Sequence, residues 1–258
     1  MKTPRLLLSL GALATITVAL LAQSTAMSEP APAFTVASGL DYSRGDYGFP
    51  TDTEVLSFPL DLGYESGSWI WRANLSHLRI KGPAAIVGDG AAARPTANSE
   101  SGVGDIYLSG TYRTGPVLGG FSLDPTIRVK LPTASESRGL GTGETDVYGQ
   151  LDAYRTIGNV TPFATVGYRA LGDNTTYQLK DGVYASGGAH FRASPSTIVT
   201  TSVSWGQRMI AGGSNTSDAM IAVTHDVDAR WRVMGYALKG FTNASPDIGA
   251  GVRVTCRF

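Results

Sequence analysis

The residues that could carry chemistry are few. The chain of 258 residues has three histidines, His77, His190 and His225, and a single cysteine, Cys256. No Gly-x-Ser-x-Gly nucleophile elbow occurs, so a hydrolase of that kind is not indicated. No His-x₃-His or similar spacing offers a metal site, and one cysteine provides neither an internal disulfide nor a thiolate zinc site. The glycine-rich stretch Gly139–Gly143 lacks the Gly-Lys-Ser/Thr of a phosphate loop, and the residues after it alternate as a strand; it reads as a loop hinge. His190 alternates onto the same face as Tyr184, Ser186 and Arg192, where a histidine hydrogen-bonded to its neighbours is the simpler reading. No catalytic residue, metal or cofactor is expected.

What remains is charge placed by alternation. In Phe121–Leu131 one face reads Phe, Leu, Pro, Ile, Val, Leu, and the other reads Ser, Asp, Thr, Arg, Lys. An apolar face of this kind suits lipid and a polar face suits a wet interior. Extended along the chain, the alternation points inward Asp41, Asp61, Arg72, Asp105, Tyr107, Arg113, Asp124, Arg128, Lys130, Asp146, Tyr148, Asp152, Arg169, His190, Arg192 and Arg253. Both signs are present, so these residues form either a charged constriction that filters a small solute or ion pairs that fill the interior.

The elements that must hold these residues are strands. About twelve are expected, near 34–43, 53–63, 68–80, 103–113, 120–131, 145–155, 160–170, 182–192, 196–207, 217–226, 230–240 and 246–258. Short and long links alternate between them, as the inner turns and outer loops of outer-membrane barrels do. Pro59 and Pro125 fall inside expected strands and call for bulges or a shifted register. The last two strand pairs alternate less cleanly. The fold class expected is all-β: a transmembrane antiparallel up-and-down β-barrel of about twelve strands.

The chain ends agree. Lys2 and Arg5 precede an uncharged apolar stretch, 6–22, and Ser24-Thr25-Ala26 is a small-x-small cleavage site. Residues 1–26 read as a signal peptide and 27–258 as the barrel. At the far end Gly251–Phe258 alternates and stops on Phe, as strands read by the barrel-assembly machinery do. The net charge is zero, which gives no basic footprint for nucleic acid.

Four motifs in the middle of the chain carry a resemblance. Gly102-Val103-Gly104-Asp105-Ile106-Tyr107-Leu108 opens one strand, and Lys130-Leu131-Pro132-Thr133 closes the next. Gly139-Leu140-Gly141-Thr142-Gly143-Glu144-Thr145-Asp146-Val147 and Val166-Gly167-Tyr168-Arg169-Ala170-Leu171-Gly172-Asp173 follow. In this order and spacing the stretch 102–173 resembles the MetA-pathway-of-phenol-degradation family of outer-membrane transporters. Ala134 stands where that family often has Gly. The resemblance implies an outer-membrane barrel that transports small solutes.

The function expected is therefore passive passage of small solutes, aromatic or hydrophobic ones among them, through a polar lumen in the bacterial outer membrane. The partners expected are outer-membrane lipid and lipopolysaccharide, the assembly machinery and the solute. The alternative is a structural or surface-interaction barrel with a closed lumen, and a lipid-modifying barrel enzyme stands third.

Overall fold

Alternating apolar and polar side chains can satisfy a membrane only if the sheet carrying them has no edge, because an unpaired strand leaves backbone groups without partners in hydrocarbon. The computed structural model describes residues 33–87, 90–93 and 99–258, and it shows such a closed sheet. The signal peptide read at 1–26 lies outside the described residues. In chain order the strands are β1 (Ala33–Gly45), β2 (Thr53–Ser66), β3 (Trp69–Lys81), β4 (Ala84–Val87), β5 (Gly90–Ala93), β6 (Ser99–Val103), β7 (Ile106–Tyr112) and β8 (Pro116–Leu118). They continue as β9 (Phe121–Leu131), β10 (Asp146–Tyr154), β11 (Val160–Ala170), β12 (Gly182–Ser194), β13 (Thr197–Gly206), β14 (Thr216–Asp226), β15 (Trp231–Gly240) and β16 (Ile248–Arg257).

Each barrel strand pairs antiparallel with its sequence neighbour. Pairing of β1 with β16 and of β9 with β10 closes the ring. Counting β6 and β7 as one interrupted strand, the barrel has twelve. The small β4–β5 hairpin stands apart in the link after β3.

The fourth strand starts earlier than the alternation suggests, at Ser99 rather than 103. It is broken at Gly104-Asp105, where the register on β3 changes from His77↔Val103 to Asn74↔Tyr107. One residue of slip here lets the Gly104 N–H reach the Ser76 carbonyl at 2.8 Å and turns Asp105 toward the loop after β9.

The two prolines are absorbed without a register shift. Ser38↔Leu60 and Asp41↔Ser57 keep one register, and the two intervening pairs at Pro59 are not formed. The Ser38 hydroxyl donates to the Pro59 carbonyl at 2.9 Å. Opposite, Gly39 lets β1 bend toward β16: a Cβ built there would lie 2.1 Å from the Val252 carbonyl oxygen. Pairing of β9 with β7 ends at Thr111↔Thr126, one position short of Pro125, while β10 pairs through it. Its missing N–H costs no ladder bond on the β7 side.

The outside of the barrel is apolar. Leu40, Phe58, Leu62, Leu108, Ile127, Val166, Val203, Ile221 and Val252 are all exposed. Aromatic rings ring the inner end: Phe34, Tyr64, Trp69, Trp71, Tyr112, Phe121, Trp231 and Phe258 are exposed there. Trp69 stacks on Trp71 at 5.3 Å, and Tyr112 meets Trp69 edge-on at 5.1 Å. Tyr168 and Trp205 mark the other end. This is the apolar band with aromatic girdles that a bilayer requires. The protein resides in the bacterial outer membrane.

Candidate functional site

With the outer wall turned to lipid, polar chemistry is confined to the lumen. The barrel register sets its wall: odd residues of β1, β2, β11 and β16 and even residues of β3, β9, β10 and β12 to β15 point in. Thirteen of the sixteen candidates hold such positions, and Tyr107 stands on β7. Asp105 sits at the strand break and Arg113 just beyond β7.

One network joins five neighbouring strands. The Arg253 guanidinium donates to Asp41 at 2.9 Å and to Asp61 at 2.8 Å. Tyr236 donates its hydroxyl to the other Asp41 oxygen at 2.8 Å, and Asn74 donates to Asp61 at 2.6 Å. The Tyr236 ring reaches across because its register partner is Gly251. A Cβ at Gly251 would lie 2.3 Å from both the Tyr236 ring and Asp41.

A second network lies near the outer end. Lys130 and Asp146 pair at 2.7 Å with no side-chain exposure, and Lys130 also donates to Thr142 at 2.7 Å. Asp105 approaches Lys130 at 3.7 Å and accepts the Ala134 N–H at 2.9 Å. Asp146 accepts the Gly172 N–H at 3.0 Å. One buried ion pair thus fastens two outer loops to the wall. Beside it, the Arg128 guanidinium lies 4.1 Å from the Tyr148 ring centre and 5.1 Å from that of Tyr107, a cation held by two π faces.

The remaining candidates are held singly. Asp124 accepts from the Thr114 N–H at 3.0 Å and the Tyr154 hydroxyl at 2.9 Å. Asp152 accepts from Thr165 at 2.5 Å and Gln150 at 2.8 Å. These two carboxylates are register partners. Arg113 meets Glu65 at 3.3 Å near the inner end. Arg169 donates to the Gln207 carbonyl. His190 shares a 2.8 Å hydrogen bond with Thr200 and stacks on Phe163 at 4.7 Å. Arg192 is half-buried near the inner end of β12. Arg72 faces the lumen opposite Gly63 of β2, with Asp61 and Glu65 on either side of that residue.

Other parts of the lumen escaped the sequence reading. Met220 and Ala222 of β14 pack with Met234, Tyr236 and Leu238 of β15 as an apolar strip on the inner wall. Those inward apolar residues are why the last strands alternate poorly. Between this strip and the polar networks the wall is small-sided: Ser186 and Gly188 on β12, Ser202 and Ser204 on β13.

The outer mouth is filled by loop side chains. Tyr47, Leu171, Tyr177, Leu179, Met209 and Ala244 pack with Ala84 and with Tyr148 from the wall. Tyr47 is fully buried, and among the described residues it is the only non-glycine at positive φ (49°). Asp46 enforces that turn: its carbonyl accepts the Phe49 N–H and its carboxylate the Gly48 N–H, both at 2.8 Å. Burial raises the Tyr47 phenol above its ordinary range, so the ring stays neutral. Such loop residues carry no strand periodicity that could have announced them.

No family model matches the chain, and no curated protein matches it. Solved structures do match. An outer membrane channel from Pseudomonas putida F1 superposes with a TM-score of 0.68 at 13% identity, over 92% of this chain and 98% of its own. The translocator domain of the autotransporter NalP from Neisseria meningitidis gives 0.53 at 10% identity, over 95% of each chain. The NanC porin gives 0.52 at 8% identity, over 86% of this chain and 97% of its own. At these identities the likeness is one of fold.

Proposed function

We propose that this protein is an outer-membrane channel for passive passage of small solutes, aromatic and hydrophobic ones among them. The observation that carries this reading is the uneven lumen wall. A barrel of this size needs bulky side chains all round to fill it, yet β12 and β13 offer Ser186, Gly188, Ser202 and Ser204 opposite the polar networks. Of the sixteen inward candidates, Asp61, Arg72, Tyr107, Arg113, Arg128, Arg192 and Arg253 keep exposed surface to line the path, and the other nine are buried in the wall. Met234 and Leu238, half-buried on the apolar strip, give an apolar solute favourable surface. The resemblance of residues 102–173 to the MetA-pathway-of-phenol-degradation transporters and the fold shared with a Pseudomonas channel both support it. Export through a signal peptide at 1–26, and insertion by assembly machinery acting on the strand that ends at Phe258, complete the reading. No cofactor or energy source enters.

The filled mouth favours a second reading, a closed barrel acting through its loops. Osmotic swelling of proteoliposomes separates the two. Passage is expected for small neutral aromatics such as benzyl alcohol at rates well above protein-free vesicles. Equal rates would support the closed barrel.

A further inference from the structure

One strand breaks the apolar outer wall. Along β3 the outward positions read Trp69, Trp71, Ala73, Leu75, His77, Arg79 and Lys81. The last three are exposed and alternate with the buried, inward Leu78 and Ile80, so their side chains stand on the lipid side. A cation on that side is costly at mid-bilayer and costs little at the interface. The height of these three residues therefore decides what they meet.

The register gives that height. Tyr168 belongs to the outer girdle, and its hydroxyl donates to Asp181 at 3.1 Å. The register row through Tyr168 passes Gly149, Ile127 and Gly110 and reaches β3 at Trp71, four strands away. Strands that tilt about 35–45° and lie about 4.8 Å apart lower such a row by about 3 Å at each crossing, or about 12 Å in all. A tilted strand regains about 2.5 Å per residue, which puts the level of Tyr168 about five residues beyond Trp71, near Ser76. His77 thus stands at the girdle, with Arg79 and Lys81 just above it among the headgroups of the outer leaflet.

The neighbours of these residues suit an anionic amphiphile. His77 has Phe58 and Val103 as register partners, both exposed, and Leu60 is exposed below them. Arg79 lies between Leu56 and Ser101. Lys81 faces Glu54, which Arg44 also faces, and Arg44 is paired with Asp52 at 2.5 Å. Glu100 is the partner of inward Ile80 and points the other way. We infer that β3 carries a lipopolysaccharide site. Arg79 and Lys81 bind phosphates of the lipid A headgroup, His77 donates to its sugars, and acyl chains lie on Phe58, Leu60 and Val103. Arginine takes phosphate as a fork and lysine as a point charge. A column of cations suits a headgroup with several anionic groups better than the single phosphate of a glycerophospholipid. The site gives a seat to the lipopolysaccharide partner expected from the sequence and does not depend on whether the lumen conducts.

Native mass spectrometry of the full-length barrel in detergent tests the site, with bisphosphorylated lipid A as the probe. Lipid A is expected to stay bound at concentrations where phosphatidylglycerol does not, and monophosphoryl lipid A should be retained severalfold less. R79Q combined with K81Q should cut retention of bisphosphorylated lipid A severalfold. R155Q, exposed at the inner end of the barrel, should leave it unchanged. Heat-modifiable gel migration confirms that each variant is folded. If the double variant is not, R79Q and K81Q singly take its place, and the comparison of the three lipids on the wild type needs no variant. Equal retention of the three lipids, or unchanged retention in the double variant, overturns the site. A loss as large in R155Q would also overturn it, by reducing the binding to general attraction of cations for phosphate.

Discussion

The two halves of the lumen wall are built on different principles. From β3 through β11 the wall is charged and engaged, with Lys130, Asp146, Asp105, Arg128 and Asp152 fixed by named partners. From β12 through β15 polar groups such as His190, Arg192 and Asp218 are interspersed with small side chains and end in the apolar Met220–Leu238 strip. The first half orders the structure, because a buried charge deprived of its partner is expensive. The second half leaves room, and its methionines adapt to whatever passes. A lumen that is polar throughout, as the alternation suggests, is therefore only half of what the barrel presents.

The largest effect should come from breaking the engaged half. Lys130→Met leaves Asp146 buried beside Asp105 without its cation, and should cost about 3–5 kcal/mol, read as a lower urea midpoint for the folded band on unheated gels. A smaller loss would mean that the outer loops, and not this pair, hold that end together.

Next comes the seam between the halves. Gly251→Val should drive Tyr236 off Asp41 and cost about 1–3 kcal/mol, the usual range for overpacking, while Gly251→Ser should cost less. Equal, small losses in both would show that Tyr236 moves freely.

The open half should answer in solute preference and not in stability. Met220→Ser with Met234→Ser should slow entry of benzyl alcohol into proteoliposomes more than that of a polar solute of similar size, such as glycerol. A uniform change would reduce the strip to packing.

The smallest effect lies outside both halves, in the turn between β14 and β15. Hydrogen bonds from the Arg230 and Trp231 N–H groups hold the Asp228 carboxyl below its usual range. A carboxyl lowered in the fold contributes stability above its unfolded pKa and loses it as pH falls through the folded value. Asp228→Asn should therefore lower stability slightly at neutral pH and leave it unchanged in strong acid.

Much of the fold was legible because period-two alternation is a direct consequence of facing lipid on one side and water on the other. Phe121–Leu131 shows it cleanly. Three features were hidden for physical reasons. The break at Gly104-Asp105 depends on where Asp105 finds the Ala134 N–H, a contact distant in sequence. Pro59 needed a hydroxyl from Ser38 on the next strand. The mouth is made of loop residues such as Tyr47 and Met209, whose burial follows from tertiary packing and leaves no mark in local spacing.

The most direct test of the channel is ion current through the purified protein in planar bilayers, wild type beside Tyr47→Gly. Glycine relieves the positive φ at that position and removes the ring from the mouth. Discrete current steps are expected from the wild type, with longer open times in the variant. Lipid-inserted, folded protein that passes no current in either form would contradict the account.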